Sequence, residues 1–557
     1  MGDFNVDLLK LSDNMTQKLL CILEVFGHHQ IINEPTRVTG SSSTLIDHIV
    51  VSNDIEIIQS GAYSVHGLSD HHVVYCKYPA NYSKKHSPFF YTYRDFHNFD
   101  LTSFDNDLKS INWQQLFMLS TVDDKVDYLN YHIVQLFDKH AARKTVRISK
   151  PPAPWLTDNI KLLIELRKKA FTKFKKSKLP SHWNYYKQLR NFTTTAIRSE
   201  KKAYIESHLN QSVSTRTSIW KRLKQIGLCE SSHKHEIPPN LCDVNKINEA
   251  FNELSNTTHV NIDHLIEFYN LNTHKLLDVK FNFNLITEAE TLKTFLSLKS
   301  NSIGCDQISL TMWKLCLPYL ASIITHIINC CLSESTFPNA WKNAIVVPLP
   351  KIKNAQDFKD LRPISILPCL SKVLEKIMAS QIQHFLNSEK MLPPMQSGFR
   401  PGHSCNTALA FVTDTILSAI DKNNLTMLIL LDYSKAFDRI SHKLLTSILN
   451  YNSFSTSAVH LIESYISNRT QCTRLDGNVS TSLSVMAGVP QGSVLGPLLY
   501  IIYTSKIQDC LKHCMYHLYA DDTQLFYTFP AHKIEDANSL INSDLQSLVG
   551  TSEMHGL

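Results

Sequence analysis

The chain has 557 residues, more than one hydrophobic core organises, so about three or four domains are expected. With 43 % apolar and 19 % charged residues, and only 15 Gly and 21 Pro, it is neither fibrous nor of low complexity. The formal charge is +6, but residues 139–224 hold 22 Lys/Arg against 4 Asp/Glu, a local +18 that leaves −12 on the remainder. Such a block is the electrostatic footprint of a polyanion partner.

The 13 cysteines are scattered, odd in number and without a C-x-x-C pair, which argues against a disulfide framework and fits a reducing compartment. Cys510, His513, Cys514 and His517 would share a face if helical, a zinc-binding alternative whose spacing matches no common finger. The N-terminus reads MGDFN, with no basic leader region, and Val6 stands where myristoylation requires Ser or Thr. The longest apolar candidate for a span, 485–503, contains Pro490, Gln491 and Pro497. A soluble intracellular protein, off the membrane, is expected.

Residues 1–78 mix short apolar strands with polar loops, with strands predicted at 45–52 (LIDHIVVS) and 73–76 (VVYC). An aromatic, Pro-containing connector follows over 79–100. From about 100 to 225 the pattern is helical. PPAPW at 151–155 breaks the chain, and Thr157 or Asp158 can cap a helix whose stripe is Ile160, Leu163, Ile164, Ala170, Phe171 and Phe174. Leu179-Pro180 interrupts it, and a second basic helix is predicted over 183–209. Arg167, Lys168, Lys169, Lys173, Lys175, Lys176, Arg190, Arg198, Lys201 and Lys202 lie between the apolar positions. Their faces can follow a phosphate backbone, while the aromatics read as core rather than as base-stacking platforms. SSHKHEIPPN at 231–240 reads as a linker. From 285 onward helices and strands mix, with strands predicted at 344–349, 427–431 and 518–526.

Three stretches carry the chemistry. In TMLILLDYSKAFD (426–438) an apolar strand ends at Asp432, where a carboxylate can hold a metal on a rigid scaffold. In HLYADDTQLFY (517–527) a strand–turn–strand carries Asp521 and Asp522 at its tip, and adjacent carboxylates aimed at one site call for a cation. Two Mg²⁺ ions about 4 Å apart suit nucleotidyl transfer. Between them, AGVPQGSVLGPLLYIIY (487–503) is a Gly/Pro loop followed by an apolar helix, and Gly488 and Gly492 let backbone approach a ligand closely. Upstream, VPLPK (347–351), KDLRPIS (359–365) and QSGFRPGHS (396–404) set cations beside tight turns, as a triphosphate or backbone phosphates require.

In this order the blocks VPLPK, LRPISILPCLSKVLEKI, QSGFRPGHSCNTAL, LLDYSKAFDRISHKLL, GVPQGSVLGPLLYIIY and YADD, over about 345–530, resemble the fingers and palm motifs of non-LTR reverse transcriptases, nearest the jockey-like elements. LKSNSIGCDQI at 298–308 resembles the segment before them. The resemblance implies an RNA-directed DNA polymerase acting on an RNA template, a DNA primer or target, and deoxynucleoside triphosphates, with two Mg²⁺ (or Mn²⁺) ions. Asp432 and Asp521 match the metal-binding acids and Asp522 the second acid of the tip. Phe437 matches the bulky residue that crowds a ribose 2′-OH. Lys351 and Arg362 resemble the finger cations on the triphosphate, Arg400 resembles a template or nucleotide contact, and Gln491 matches the loop residue near the templating pair. At the N-terminus GDFN (2–5), IDHI (46–49) and LSDH (68–71) resemble the last three motifs of the apurinic-endonuclease-like domain, which implies roles for Asp3, Asn5, Asp47, Asp70 and His71.

The implied fold is α+β: right-hand fingers and palm, an antiparallel sheet packed on helices, preceded by a basic helical region and a partial endonuclease α/β sandwich. The expected divisions are an endonuclease remnant (1–78), a basic helical connector that binds nucleic acid (79–230), a linker and helical segment (231–284), and the fingers and palm (285–557). Two departures from the family pattern qualify the activity. The first half of the endonuclease, with its metal-binding Glu, is absent, so no nicking is expected. The chain ends in the helix after YADD, before a thumb, so nucleic-acid binding with weak polymerisation or none is expected. The expected location is the nucleus and cytoplasm, as a ribonucleoprotein. The alternatives are a relic that only binds nucleic acid and an RNA-directed RNA polymerase, against which Phe437 and the endonuclease motifs argue.

Overall fold

The computed structural model describes residues 2–53, 55–65, 69–79, 89–148, 155–210, 237–253, 262–272, 279–352, 354–433 and 435–557. Contacts divide the chain into two compact units, residues 1–92 with 145–154, and residues 93–144 with 155–557. Most of the linker expected at 231–240, and Leu68 of the LSDH motif, lie outside the described residues.

The smaller unit is built from short antiparallel pairs and the helix Asn14–Val25, which Asp13 caps by accepting from the N–H of Met15 and Thr16. The single strand expected at 45–52 is two. Asp47–His48 pairs with Gly2–Asp3, and Val50–Ser52 pairs with His28–Gln30. The break falls at Ile49, and at the start of the first of the two strands the buried Thr36 hydroxyl accepts from the N–H of Ile46 (3.0 Å) and Asp47 (2.9 Å). Gln59–Tyr63 pairs with Val73–Lys77, where the second strand was expected. Ile32, Leu45 and Ile49 are the fully buried apolar residues of this unit's core.

In the larger unit, helix α1 (Val122–His140) buries Val126, Leu129, Ile133, Leu136 and Phe137 at helical spacing, with Thr121 as its cap. Helices α2 (Asp158–Ser177) and α3 (Pro180–Asn210) form the basic hairpin. The break falls at Lys178, in the left-handed region (φ 51°), and Pro180 starts α3 three residues before the predicted position, as suits a proline at a first helical turn. Phe171 packs on Tyr186 (4.9 Å) and Phe174 on Trp183 (4.7 Å), so these rings join the two helices. Lys175 lies over Phe171 and Lys187 over Trp183.

Helix α4 (Leu310–Ser333) shares one apolar core with α1. It is long and apolar enough to cross a membrane by length and composition, the only such helix among the described residues, although 61 % of its most apolar window is buried. Residues 485–503 are therefore not the strongest candidate for a span. Strands β1 (Asn343–Pro350) and β2 (Leu361–Ile366) form an antiparallel hairpin, followed by α5 (Cys369–Ser388), α6 (Cys405–Asp421) and β3 (Asn424–Asp432). Strand β4 (Arg469–Leu475) runs parallel to β1. Helix α7 (Gly496–Thr504) follows the Gly/Pro loop as predicted, then come β5 (Met515–Tyr519), β6 (Asp522–Pro530) and α8 (Ile534–Met554).

The sheet β3-β6-β5 is antiparallel throughout. On one face Met427, Ile429, Leu431 and Leu525 pack with Ile541 and Leu548 of α8. Period-two alternation puts Leu428, Leu430 and Asp432 together on the other face, where Phe526 meets Phe411 of α6. The Cys510-to-His517 spacing makes no shared helical face, because a 3-10 turn ends at Cys510 and β5 begins at Met515. The N–H groups of Lys512, His513 and Cys514 instead donate to Asp544, and His517 bonds Ser397.

Candidate active site

The antiparallel register sets Asp432, the last residue of β3, directly opposite Asp522, the first of β6. Asp522 in turn faces Tyr519, so Ala520 and Asp521 are the two-residue loop of the hairpin. Asp432 and Asp522 are exposed and Asp521 is half-buried. Burial pushes the Asp521 carboxyl up, the charges of Asp522 and Asp432 push it further, and Arg362 opposes them. All three carboxylates are hard oxygen donors of the kind divalent cations take, although ligand oxygens from the three do not all lie within 4.8 Å of one another. Beneath them burial, then the same acids, raise the Tyr500 phenol.

The wall beside the acids is aromatic. Phe437 packs on Tyr500 with ring centroids 4.8 Å apart, and Phe399 stands 6.3 Å from Phe437. Phe399 is half exposed and left-handed (φ 57°). The backbone of Phe437 is tied to the Gly/Pro loop, since its carbonyl accepts from the N–H of Val489 (2.9 Å). At Gly488 (φ 79°) an added Cβ would lie 2.8 Å from the Asp438 Cα and the Phe437 carbonyl, so this approach requires glycine. Gln491 donates from Nε2 to both carboxylate oxygens of Asp438, at 2.9 and 2.8 Å. Burial raises the Asp438 carboxyl to about 6, against the lowering effect of Gln491, Lys435 and Lys351.

The cations come from the β1–β2 hairpin. Lys351 follows β1, and its N–H donates to the Asp360 carbonyl. Arg362 lies on β2 opposite Leu349. Both side chains are exposed. Arg400 is placed differently: its Nη1 donates to the carbonyls of Pro393 (3.0 Å) and Gln396 (3.2 Å) and braces its own loop.

Two residues to which sequence reasoning gave no role prove central to this geometry. Glu375 on α5 is fully buried and accepts from the N–H of Val494 (2.7 Å) and Leu495 (3.2 Å), the Ser371 hydroxyl and the Tyr465 phenol. It thereby anchors the loop that carries Gln491. Within LSKVLEKIM, Glu375 stands next to Lys376 and reads as a surface charge, so its burial left no plain signal in the sequence. Gln396, also buried, bonds the backbone of Ala520.

In the smaller unit, Asp3 and Asp47 are opposite one another in register, and His71 Nδ1 bonds Asp47 Oδ2 at 2.9 Å. One ligand atom from each of these three lies within 4.8 Å of the others, the only such metal-capable group among the described residues. Asn5 (φ 52°) donates its N–H to Asp3. Asp70 is drawn instead to Arg37 at 2.8 Å, and that side-chain hydrogen bond holds its carboxyl below the usual value.

A family model described as reverse transcriptase (RNA-dependent DNA polymerase) matches residues 350–549. Among similar proteins, the probable RNA-directed DNA polymerase from transposon BS of Drosophila melanogaster is 33 % identical over 239 residues, 41 % of this chain and 26 % of that protein. The RNA-directed DNA polymerase from mobile element jockey of the same fly is 24 % identical over 433 residues, 74 % of this chain and 46 % of its own length. Its counterpart from Drosophila funebris is 26 % identical over 364 residues, covering 62 % of this chain and 39 % of the relative. The chain thus spans less than half the length of each of these relatives. The matched residues include both strands of the YADD hairpin and Asp432 opposite it, so residues 350–549 are a reverse transcriptase domain similar to those of non-LTR transposons such as jockey.

Proposed function

We propose that this chain is an RNA-directed DNA polymerase of a non-LTR retrotransposon, with the catalytic centre at Asp432, Asp521 and Asp522. The observation that carries the reading is the register that sets Asp432 across from Asp522, with Asp521 in the adjoining turn. Asp432 and Asp521 would hold Mg²⁺ ions, which when bound lower the pKa of an attacking 3′-hydroxyl and neutralise charge on the leaving pyrophosphate. Lys351 and Arg362 grip the triphosphate of an incoming deoxynucleotide. Phe437, backed by Tyr500, fills the space a ribose 2′-OH needs. Gln491, held by Asp438, faces the templating pair. The fingers and palm take an RNA template paired with a DNA primer, and the basic hairpin α2–α3 lies along the phosphate backbone of the nucleic acid. The test is extension of oligo(dT) on poly(rA) with Mg²⁺. Extension that disappears in Asp521→Ala supports the reading, and extension indifferent to that change refutes it.

The smaller unit supports a second proposal, that it descends from an apurinic-endonuclease-like domain. The convergence of Asp3, Asp47 and His71 favours it. Mn²⁺ binding to the full chain, lost on Asp47→Ala in an Asp432→Ala background, is the expected result. Binding unaffected by Asp47→Ala would count against it.

A further inference from the structure

The loop that presents Asp521 is not held by its own hairpin alone. Ala520 is left-handed (φ 59°), a conformation that a residue other than glycine adopts at a cost of about 1–2 kcal/mol. Its backbone polar groups point away from the β5–β6 ladder and meet one side chain. Gln396 Oε1 accepts from the N–H of Ala520 (3.0 Å), and Gln396 Nε2 donates to the Ala520 carbonyl (3.3 Å). The same Oε1 accepts from the N–H of Gly398 (2.7 Å), which fixes the amide's orientation. Gln396 is 1 % exposed, so no water competes for these bonds.

The segment around Gln396 is itself locked onto β5. Leu518 donates its N–H to the Met395 carbonyl (2.9 Å), and Ser397 donates its N–H to the Leu518 carbonyl (2.8 Å), as in a parallel strand. The Ser397 hydroxyl bonds His517 Nε2 at 2.9 Å. Gly398 passes so close that an added Cβ would lie 2.1 Å from the Ala520 nitrogen. A carboxylate at position 396 could accept but not donate, an asparagine would be one methylene short, and a methionine could do neither. The geometry needs the primary amide of a glutamine.

We propose that Gln396 is a positioning residue for Asp521: it clamps the peptide groups of Ala520 and so fixes the direction in which the Asp521 carboxylate points. The inference rests on the polymerase reading for its kinetic consequence, but the clamp is measurable without it. A misplacement of a reacting group by about 1 Å costs about 100-fold in rate, so loss of the clamp acts on turnover and leaves nucleotide binding by the β1–β2 cations in place.

The experiment compares the full wild-type chain with Gln396→Met, which keeps the volume, and Gln396→Glu, which keeps the two acceptor bonds. Hydrogen exchange at the Ala520 amide is read beside that of Leu525 and Phe526 in β6, together with kcat and KM for dTTP on poly(rA)/oligo(dT). Gln396→Met is expected to speed exchange at Ala520 and Gly398 but not at Leu525 or Phe526, to lower kcat by about 10- to 100-fold and to change KM by less than about 2-fold. Gln396→Glu should recover part of both effects. Exchange at Ala520 unchanged in Gln396→Met overturns the clamp. Faster exchange across all of β5 and β6 assigns Gln396 to general stability and overturns positioning, as does faster exchange at Ala520 with wild-type kcat. Should the wild-type chain extend no primer, the polymerase reading fails by itself, and exchange at Ala520 still decides whether Gln396 holds the turn.

Discussion

Glu375→Ala should damage the larger unit about as much as truncating a large buried apolar residue of α5. The carboxylate lies in the interior and accepts from four donors: the N–H groups of Val494 and Leu495, the Ser371 hydroxyl and the Tyr465 phenol. Alanine leaves all four facing a cavity. Each buried donor without a partner costs about 1–3 kcal/mol, partly relieved where water enters, so a loss of about 4 kcal/mol is expected. That is a large share of the net stability of a domain, about 5–15 kcal/mol. Glu375→Gln keeps one acceptor oxygen and should cost about half as much. Urea unfolding of the full chain gives the magnitude, and amide exchange at Val494 and Leu495 gives the location. A loss below about 1 kcal/mol, or those two amides still protected in Glu375→Ala, would falsify the assignment of Glu375 as the loop's anchor.

Gly398→Ala places a methyl 2.1 Å from the Ala520 nitrogen, so the YADD turn must shift; a lower Tm and lost primer extension are expected, whereas Gly402→Ala, with open space but φ 80°, should show only a modest Tm loss and keep extension. Asp544 is pushed up by burial but held below its usual value by the N–H groups of Cys514, His513 and Lys512, which outweigh it. Its stabilising effect is therefore present above about pH 4 and fades as pH falls through the lower folded value, so Asp544→Asn should flatten the acid limb of a Tm-against-pH curve. Asp438 has the opposite sign: its folded value of about 6 exceeds the ordinary one, so its contribution is full in acid and is lost as pH rises through about 6. Asp438→Asn should gain Tm relative to wild type between pH 5 and pH 7. Phe437→Val should narrow the preference for dTTP over UTP at least about 10-fold if the ring excludes the 2′-OH, and an unchanged ratio would remove that role.

What the sequence made legible follows from what local pattern encodes. The apolar run ending at Asp432 and the paired acids of YADD each announced a strand end and a hairpin tip, and β3 and β5–β6 lie there. The Gly/Pro loop before α7 was equally plain, because Gly488 and Gly492 adopt φ 79° and 100°, which few other residues tolerate. Side-chain capture of backbone was not legible. Thr36 accepting from Ile46 and Asp47, Glu375 anchoring Val494 and Leu495, and Gln396 holding Ala520 all join residues distant in sequence. No periodicity marks such a pairing. The same limit applies to partners of apolar stripes: α1 reads as an amphipathic helix, but nothing in its spacing says that it shares a core with α4. Arg400, read as a template or nucleotide contact, also braces its own loop through Nη1 and two carbonyls, a use that charge alone does not reveal.

The central claim is that Asp432 and Asp521, distant in sequence, share divalent cations. Replacing Mg²⁺ with Fe²⁺ and adding ascorbate cuts the backbone beside a bound ion, and the account predicts paired cuts near residues 432 and 520–522 that vanish together in Asp432→Ala. Cuts at one of these places only, or cuts at 520–522 that survive Asp432→Ala, would contradict it.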